Sequence, residues 1–420
     1  MILAQLLLLT VPLLLSPQEE TLSRKEIQGL VERYFELDWK NPEDITEQRR
    51  VLEQLESVPA LQPRDARDWR KKLKKQWSKG PKLPKKSGTH YLWEEEKKGR
   101  FIIGGKTKGA KGLFIGMHGG GAGSGEARSS YGAFNSAASS RKWFAIFPQV
   151  LKLTEHGWTD SGTEEFVLEL VERARRTAKL DPDFTFFGGH SMGGYGSWTL
   201  GAHHADEVAA LTPSAGAPTP ILQGDRVIDI IEGIVPNLRN VPIVIFQSLD
   251  DPRVPPEPNQ VAVEKMKKAR EKWGGYDFEY WEVDDNAHDL PPGGTDALLE
   301  KVEDRKRSPY PECVVWQPTL PWKRQFYWLF WDVPIPRAIV VADLDRDSNT
   351  ITVETKAKLD GLHVLLSDAI CDMKREVIVH VNGKEHFRGV PERTLSTLLL
   401  TGRYGDPKRT YDTRVPLDAP

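Results

Sequence analysis

A serine in a glycine-rich turn is the residue of this sequence best suited to act as a nucleophile. Gly189, Ser191 and Gly193 form a Gly-x-Ser-x-Gly motif directly after the apolar segment 184–187 and before a run of small residues. This context predicts a sharp turn from a strand into a helix, which leaves the serine hydroxyl exposed. The N-terminus of the following helix favours developing negative charge. The expected chemistry is attack of the hydroxyl on an acyl carbonyl.

Such a serine needs a base, because a hydroxyl is a poor nucleophile at neutral pH. His288 follows the last apolar segment of the region and is the candidate base. Asp251 follows the apolar segment 242–246 and begins an Asp-x-x-Val-Pro sequence, so we expect it to orient His288. The order serine, acid, histidine is the one that this kind of turn requires. Asp250 is the alternative acid.

The same chemistry requires backbone N–H groups that stabilise a tetrahedral oxyanion. Met192, the residue after the serine, is expected to supply one of them. The second is expected from Gly119 or Gly120, in the His-Gly-Gly-Gly sequence that follows the apolar segment 112–117. Glycine suits this loop, because a side chain would block the approach of the acyl group to the backbone.

The elements that must bring these residues together alternate between short apolar strands and amphipathic helices. Because the C-terminal ends of parallel strands share one edge of a sheet, residues distant in sequence can converge there. We therefore predict an α/β catalytic domain over residues 88–333, with a doubly wound, mostly parallel sheet and helices on both faces. A capping box of Ser161 and Glu164 is predicted at the start of a helix over residues 162–180.

The regions on either side of this domain have different patterns. Residues 17–87 are charged and carry apolar residues at helical spacing, which predicts a helical segment. Residues 334–420 predict a small β-rich domain, in which Asn382-Gly383 indicates a hairpin. The apolar stretch at residues 1–16 is shorter than the roughly 20 residues of a transmembrane helix. It favours a secretory signal peptide and a periplasmic or extracellular location, with an uncleaved anchor as the alternative.

Charge and motif spacing exclude several classes of function. The formal net charge of -2 gives no overall field that favours nucleic acid, and no stable membrane insertion is expected. The glycines at 119–125 do not fit a dinucleotide-binding motif, and the sequence at 105–107 lacks the earlier glycine that a P-loop requires. His203 and His204 lack metal-ligand spacing and are expected on a helix surface. No metal or organic cofactor is expected, and no oligomeric state is predicted.

The His-Gly-Gly-Gly loop, the Gly-His-Ser-Met-Gly turn, the Asp-x-x-Val-Pro sequence and the late histidine together resemble the α/β-hydrolase superfamily over residues 88–331. The stretch from Gly157-Trp-Thr-Asp through His-Ser-Met-Gly-Gly-Tyr is similar to exported esterases of the polyhydroxybutyrate-depolymerase and feruloyl-esterase group. It is also similar to predicted peptidases related to the prolyl-oligopeptidase (S9) catalytic domain. The resemblance implies hydrolysis of a small-molecule or polymer-derived acyl ester through an acyl-enzyme. Peptide hydrolysis is the second expectation, and a non-catalytic binding protein on the same scaffold is the third.

Overall fold

A computed structural model describes residues 22–418 of the chain. Its first ten strands are β1 Gly88–Trp93, β2 Lys98–Gly105, β3 Gly112–Met117, β4 Trp143–Pro148, β5 Thr185–His190, β6 Ala210–Ser214, β7 Pro220–Gln223, β8 Arg226–Ile230, β9 Ile243–Ser248 and β10 Phe278–Val283. Eight of them form one sheet in the order β1-β2-β4-β3-β5-β6-β9-β10, while β7 and β8 pair as a separate hairpin. β2 is antiparallel to β1 and β4, and the other six strands of this sheet (β4, β3, β5, β6, β9 and β10) run parallel. The predicted α/β-hydrolase fold class is confirmed.

Helices cover both faces of this sheet. The helices of the chain are α1 Arg24–Glu36, α2 Pro42–Leu55, α3 Pro63–Trp77, α4 Ala127–Ser140, α5 Thr163–Ala178, α6 Met192–His203, α7 Glu257–Trp273, α8 Gly294–Glu300 and α9 Leu395–Gly402. α4 and α8 pack on one face through residues such as Phe134 and Leu298. α5, α6 and α7 pack on the other through Val167, Trp198 and Met266. Because β3, β4 and β9 are buried along their whole length, their sequences are continuous apolar runs rather than alternating patterns.

The remaining strands form two further sheets. They are β11 Cys313–Trp316, β12 Gln325–Phe326, β13 Leu329–Trp331, β14 Val340–Asp345, β15 Thr350–Thr355, β16 Leu362–Leu366, β17 Val377–Val381, β18 Lys384–Gly389 and β19 Thr413–Pro416. The first sheet has the order β11-β14-β15-β17-β18 and the second β12-β13-β16-β19. The domain boundary expected between residues 333 and 334 lies inside these sheets, since β11 and β13 precede it but pair with β14 and β16. The β-rich part therefore begins at Cys313.

The N-terminal helices contact both of the other parts. The Arg403 guanidinium, just after α9, donates to the Leu37 carbonyl at 3.0 Å. The Trp77 indole N–H at the end of α3 donates to the Glu172 carboxylate of α5 at 2.9 Å. The helical segment thus joins the catalytic domain to the β-rich part.

Buried charges also cross between the catalytic domain and the β-rich part. The fully buried Asp206 carboxylate, which follows α6, lies 2.7 Å from the Lys323 ammonium and 2.8 Å from the Arg409 guanidinium. Arg307 lies 2.7 Å from Asp406, and both side chains are buried. Because buried charges are tolerated only when they are paired, these contacts fix how the two parts pack.

Two local predictions are corrected and one is confirmed. The predicted capping box is wrong: Gly162 is the N-cap of α5 and makes no side-chain cap bond. The Glu164 carboxylate is instead buried and accepts hydrogen bonds from His203 and His204, each at 2.9 Å. Both histidines are therefore buried against α5 rather than on a helix surface, as their 9% and 0% side-chain exposures show. The hairpin at residues 382–383 is confirmed, with φ angles of 49° and 79°.

The predicted signal peptide at residues 1–16 lies outside the described residues. Across residues 22–418, none of the helices is both long enough and apolar enough to span a membrane.

Candidate active site

The backbone at Ser191 has the strained conformation of a sharp strand-to-helix turn. Ser191 follows β5 directly, precedes α6, and has φ 61° and ψ -127°, which few residues other than glycine adopt. Gly189 and Gly193 make this turn possible by their close approach. A Cβ atom on Gly189 would lie 2.3 Å from the Gly193 carbonyl oxygen, and one on Gly193 would lie 2.2 Å from the Met117 carbonyl oxygen. The Ser191 N–H donates to the Ser214 carbonyl at 2.9 Å, which ties the turn to β6.

His288 lies between the serine and an acid. Its Nε2 atom is 2.9 Å from the Ser191 hydroxyl oxygen, and its Nδ1 atom is 2.7 Å from Asp251 Oδ2. The His288 side chain is 11% exposed and the Asp251 side chain is fully buried. The loops after β5, β9 and β10 thus bring together three candidates that are separated by up to 97 positions.

Backbone donors of its own loop hold the Asp251 carboxylate. Oδ1 accepts hydrogen bonds from the N–H groups of Arg253 at 2.8 Å and Val254 at 2.9 Å. These bonds turn Oδ2 toward His288. A carboxylate accepts hydrogen bonds only, so Nδ1 of His288 carries the proton and Nε2 is left to accept from the serine.

The neighbouring Asp250 does not contact the imidazole but holds the loop before it. Its Oδ1 atom accepts from the N–H groups of Asn286 at 3.1 Å and Ala287 at 2.9 Å, and from the Ser248 hydroxyl. The Ser248 hydroxyl and these backbone donors lower the pKa of Asp250. Of the two candidate acids, the structure therefore brings Asp251 to His288 and assigns Asp250 to the loop that carries it.

The loop after β3 passes directly over the serine. A Cβ atom on Gly119 would lie 3.0 Å from the Ser191 Cβ and 3.1 Å from the His190 carbonyl oxygen, closer than ordinary van der Waals contact. Gly120 has φ +146°, in the region that favours glycine, and a Cβ there would lie 2.4 Å from the Ser124 carbonyl oxygen. The candidate oxyanion loop and the nucleophile are thus in contact.

Two buried side chains orient the peptide groups of this loop. The Trp158 indole N–H donates to the His118 carbonyl at 3.1 Å. His118 Nε2 accepts from the Val150 N–H at 3.2 Å, so its Nδ1 carries the proton and donates to the Gly119 carbonyl at 2.7 Å. Burial lowers the pKa of His118, which keeps this neutral form. Because the peptide bonds are trans, the N–H groups of Gly119 and Gly120 point away from these bound carbonyls.

Two of the three predicted donors line the cavity, and the third, Met192, directly follows Ser191. Met192 is the first residue of α6, so its N–H has no acceptor within the helix. Gly119 and Gly120 line the cavity beside Ser191, and among residues 22–418 no backbone carbonyl accepts from their N–H groups. The arrangement can receive negative charge that develops next to the serine hydroxyl.

His190, which the sequence reasoning did not single out, supports the base. Its Nε2–H donates to the His288 carbonyl at 3.2 Å, and its Nδ1 accepts from the Ser214 hydroxyl at 3.1 Å. The two imidazole rings lie 5.0 Å apart. Burial and the proximity of His288 lower the pKa of His190 to about 4. His190 is therefore neutral at pH 7 and does not repel a proton on His288. Its place inside the Gly-x-Ser-x-Gly motif was the only sequence signal.

A cavity of about 680 Å³ opens over these groups. Its walls include Met117 from β3, Phe134 from α4 and Leu290 from the loop after His288. Trp158 is fully buried beneath the loop and does not line this cavity. Within the described part of the chain, no group of three or more His, Cys, Asp or Glu side chains is arranged to hold a metal ion.

Proteins similar to this chain are found among solved structures. A thermostable esterase is 19% identical, with a TM-score of 0.38, and the match covers 50% of this chain and 59% of that esterase. Esterase 2 from Thermogutta terrifontis is 16% identical, with a TM-score of 0.39, 53% of this chain covered and 93% of the esterase. A ferulic acid esterase from the anaerobic fungus Anaeromyces mucronatus is 17% identical, with a TM-score of 0.36 and coverages of 52% and 89%.

No family model matches the chain. No curated protein matches its sequence. The fold itself follows from the order and direction of the eight strands. It is an α/β-hydrolase fold.

In this fold the candidate nucleophile lies where β5 ends, at the edge of the sheet that also carries the loops after β3, β9 and β10. The candidate site holds a hydroxyl, an imidazole whose Nε2 faces it, and a buried carboxylate. This arrangement can move a proton from Ser191 to His288 while the serine oxygen attacks a carbonyl carbon.

Proposed function

We propose that this chain is a serine hydrolase that cleaves a carboxylic ester through an acyl-enzyme. Ser191 attacks the ester carbonyl, His288 takes the hydroxyl proton and gives it to the leaving alcohol, and Asp251 holds the imidazole. Water then attacks the acyl group, with His288 again as the base. The observation that carries the proposal is the position of His288, whose Nε2 is 2.9 Å from the Ser191 oxygen and whose Nδ1 is 2.7 Å from Asp251.

The tetrahedral oxyanion would be stabilised by the N–H of Met192 together with that of Gly119 or Gly120. Each such donor is typically worth roughly 3 kcal/mol of transition-state stabilisation. The bonds from Trp158 and His118 to the loop carbonyls support this role, because they fix the peptide groups before the substrate arrives. No step in this mechanism requires a metal or an organic cofactor.

The test combines an active-site probe with a panel of substrates. A fluorophosphonate should label the wild-type chain and spare Ser191→Ala, and the chain should hydrolyse short-chain 4-nitrophenyl esters. Prolyl-peptide anilides belong in the same panel, because cleavage of these alone would favour a peptidase. Equal labelling of wild type and Ser191→Ala would refute the nucleophile assignment. If the chain shows no labelling and no turnover of any substrate, the result would favour a non-catalytic binding protein.

We also propose that the chain is exported, on the apolar stretch at residues 1–16. The full chain should appear outside the cytoplasm of a bacterial host, and a chain that lacks these residues should remain inside. Equal distribution of the two would contradict export.

A further inference from the structure

Two arginines line the candidate cavity, and neither has a carboxylate partner among the residues that the structure describes. Arg128 and Arg253 share the cavity with Ser191 and His288, and both arginines are exposed. Within residues 22–418, neither guanidinium forms an ion pair. Arg141 at the other end of α4 is a contrast, because Asp296 and Glu303 bind it at 2.6 and 2.7 Å.

The backbone holds both arginines close to the reacting groups. The Arg253 N–H donates to Asp251 Oδ1 at 2.8 Å, so this residue belongs to the loop that carries the candidate acid. Arg128 is the second residue of α4, which begins directly after the glycine loop. A Cβ atom on Gly125 of that loop would lie 2.8 Å from the His118 ring and 2.8 Å from the Gly119 carbonyl oxygen, so the start of α4 is packed against the candidate oxyanion loop.

The charged side chains that line the cavity are positive on balance, with Arg128 and Arg253 against Glu126. The N-terminus of α4, a helix of 14 residues, faces the cavity and adds partial positive charge to that of the two guanidinium groups. Glu126 is the carboxylate in the cavity wall that opposes them. Asp289 acts on the nearby His190 but does not line the cavity. Asp250 and Asp251 do not line the cavity either, and Asp251 lies on the far side of the His288 ring, 2.7 Å from Nδ1. A concave site focuses such a field on its ligand.

We propose that the cavity takes an ester that carries a carboxylate, which Arg128 and Arg253 bind while Ser191 attacks the ester carbonyl. A guanidinium offers paired N–H donors that match the two oxygens of a carboxylate, and an arginine with no protein partner is available for one. The cavity of about 680 Å³ is large enough for such a substrate. The Ser191 oxygen forms a bond to the acyl carbon as the ester C–O bond breaks, the proton passes through His288 to the alcohol, and water releases the acid. This inference rests on the proposed function.

The experiment uses matched esters that differ in one charge. On the acyl side, 4-nitrophenyl hydrogen adipate is compared with its methyl ester. On the alcohol side, 4-acetoxybenzoate is compared with methyl 4-acetoxybenzoate. In at least one pair, the ratio of kcat/KM for the anionic over the neutral ester should be roughly tenfold to a hundredfold, as expected for charge-assisted hydrogen bonds. The ratio should fall when salt is added, because these groups are exposed.

Variants of the full chain identify the source of that ratio. Arg128→Gln and Arg253→Gln should each lower it, and Arg253→Lys should give an intermediate value because it keeps the charge but loses the paired donors. Arg64→Gln is the matched control. It removes the same charge from an exposed position on α3, away from the cavity, and should leave the ratio unchanged.

The outcomes separate this inference from the proposed function. The proposal of an anionic substrate would be overturned by a ratio of one or less in both pairs, or by a ratio that neither cavity variant changes. Hydrolysis of the neutral esters would still support the serine hydrolase. Absence of both fluorophosphonate labelling and turnover of all four esters would overturn the two proposals together.

Discussion

The two adjacent acids provide a matched pair of substitutions with opposite expected results. In Asp251→Asn, the side-chain oxygen must remain toward the N–H groups of Arg253 and Val254, because only an oxygen can accept from them. The new NH₂ group then faces His288 Nδ1, which must accept. The proton of His288 moves to Nε2, which would donate to Ser191 instead of taking its proton.

We therefore expect Asp251→Asn to lower kcat by roughly 10³- to 10⁴-fold, the size of effect that a wrong imidazole tautomer produces in serine proteases. This loss equals about 4 to 5 kcal/mol of transition-state stabilisation. In Asp250→Asn, the retained oxygen can still accept from the N–H groups of Asn286 and Ala287, which both bind Oδ1. The expected loss in kcat is less than about tenfold, since the loop that carries His288 keeps these bonds.

The assay is the steady-state hydrolysis of a 4-nitrophenyl ester, together with the rate constant for fluorophosphonate labelling. Thermal unfolding of each variant checks that the fold is retained. If Asp250→Asn loses as much activity as Asp251→Asn, or if Asp251→Asn keeps a tenth of the wild-type rate, the assignment of the acid is incorrect.

Three further predictions concern the surroundings of the site and the packing of the domains. Trp158→Phe removes the indole N–H that holds the loop carbonyl and should lower kcat roughly tenfold with little change in KM, less than the loss of an oxyanion donor itself; an unchanged kcat would contradict the positioning role. The pKa of His190, about 4, lies below its unfolded value near 6.5. The contribution of His190 to the free energy of unfolding should therefore be fully present above pH 6.5 and should fall by at most about 3 kcal/mol as the pH is lowered toward 4. Urea unfolding should show a weaker pH dependence in His190→Gln over this window, and an equal dependence would refute the assignment. Arg409→Met leaves the buried Asp206 with one partner fewer and should lower the free energy of unfolding by roughly 3 to 5 kcal/mol. A loss below about 1 kcal/mol would show that the ion pair of Arg409 and Asp206 does not fix how the catalytic domain packs on the β-rich part.

The sequence predicted the α/β fold because its signals are local. Continuous apolar runs mark buried parallel strands, and the Gly-x-Ser-x-Gly turn marks the junction of β5 and α6. The candidate residues Ser191, Asp251 and His288 could be chosen because strand ends in a parallel sheet share one edge.

What the sequence did not predict depends on contacts between distant segments. Glu164 fits the local pattern of a capping box, but in the fold its carboxylate meets His203 at the end of α6 and His204 directly after it. Burial with these hydrogen bonds outweighs the local pattern. Trp158 acts through a backbone carbonyl of another loop, for which its own surroundings in the sequence carry no signal.

The same limit applies to the boundary of the β-rich part. Strand β13 precedes residue 333, but its pairing with β16 spans a long separation in sequence, and no turn between the two strands indicates it. Asp250 and Asp251 are adjacent, so only the conformation of their loop decides which carboxylate faces the imidazole.

The proposed function depends most directly on the acylation of Ser191 during turnover. The direct measurement is rapid mixing of the full chain with a 4-nitrophenyl ester, an acid quench within the first turnover, and peptide mapping by mass spectrometry. An acyl group is expected on the peptide that contains Ser191, and no such adduct is expected in His288→Ala. Ester turnover with the acyl group on another residue would contradict acylation of Ser191. So would a burst of 4-nitrophenol release in which no adduct is found at any quench time.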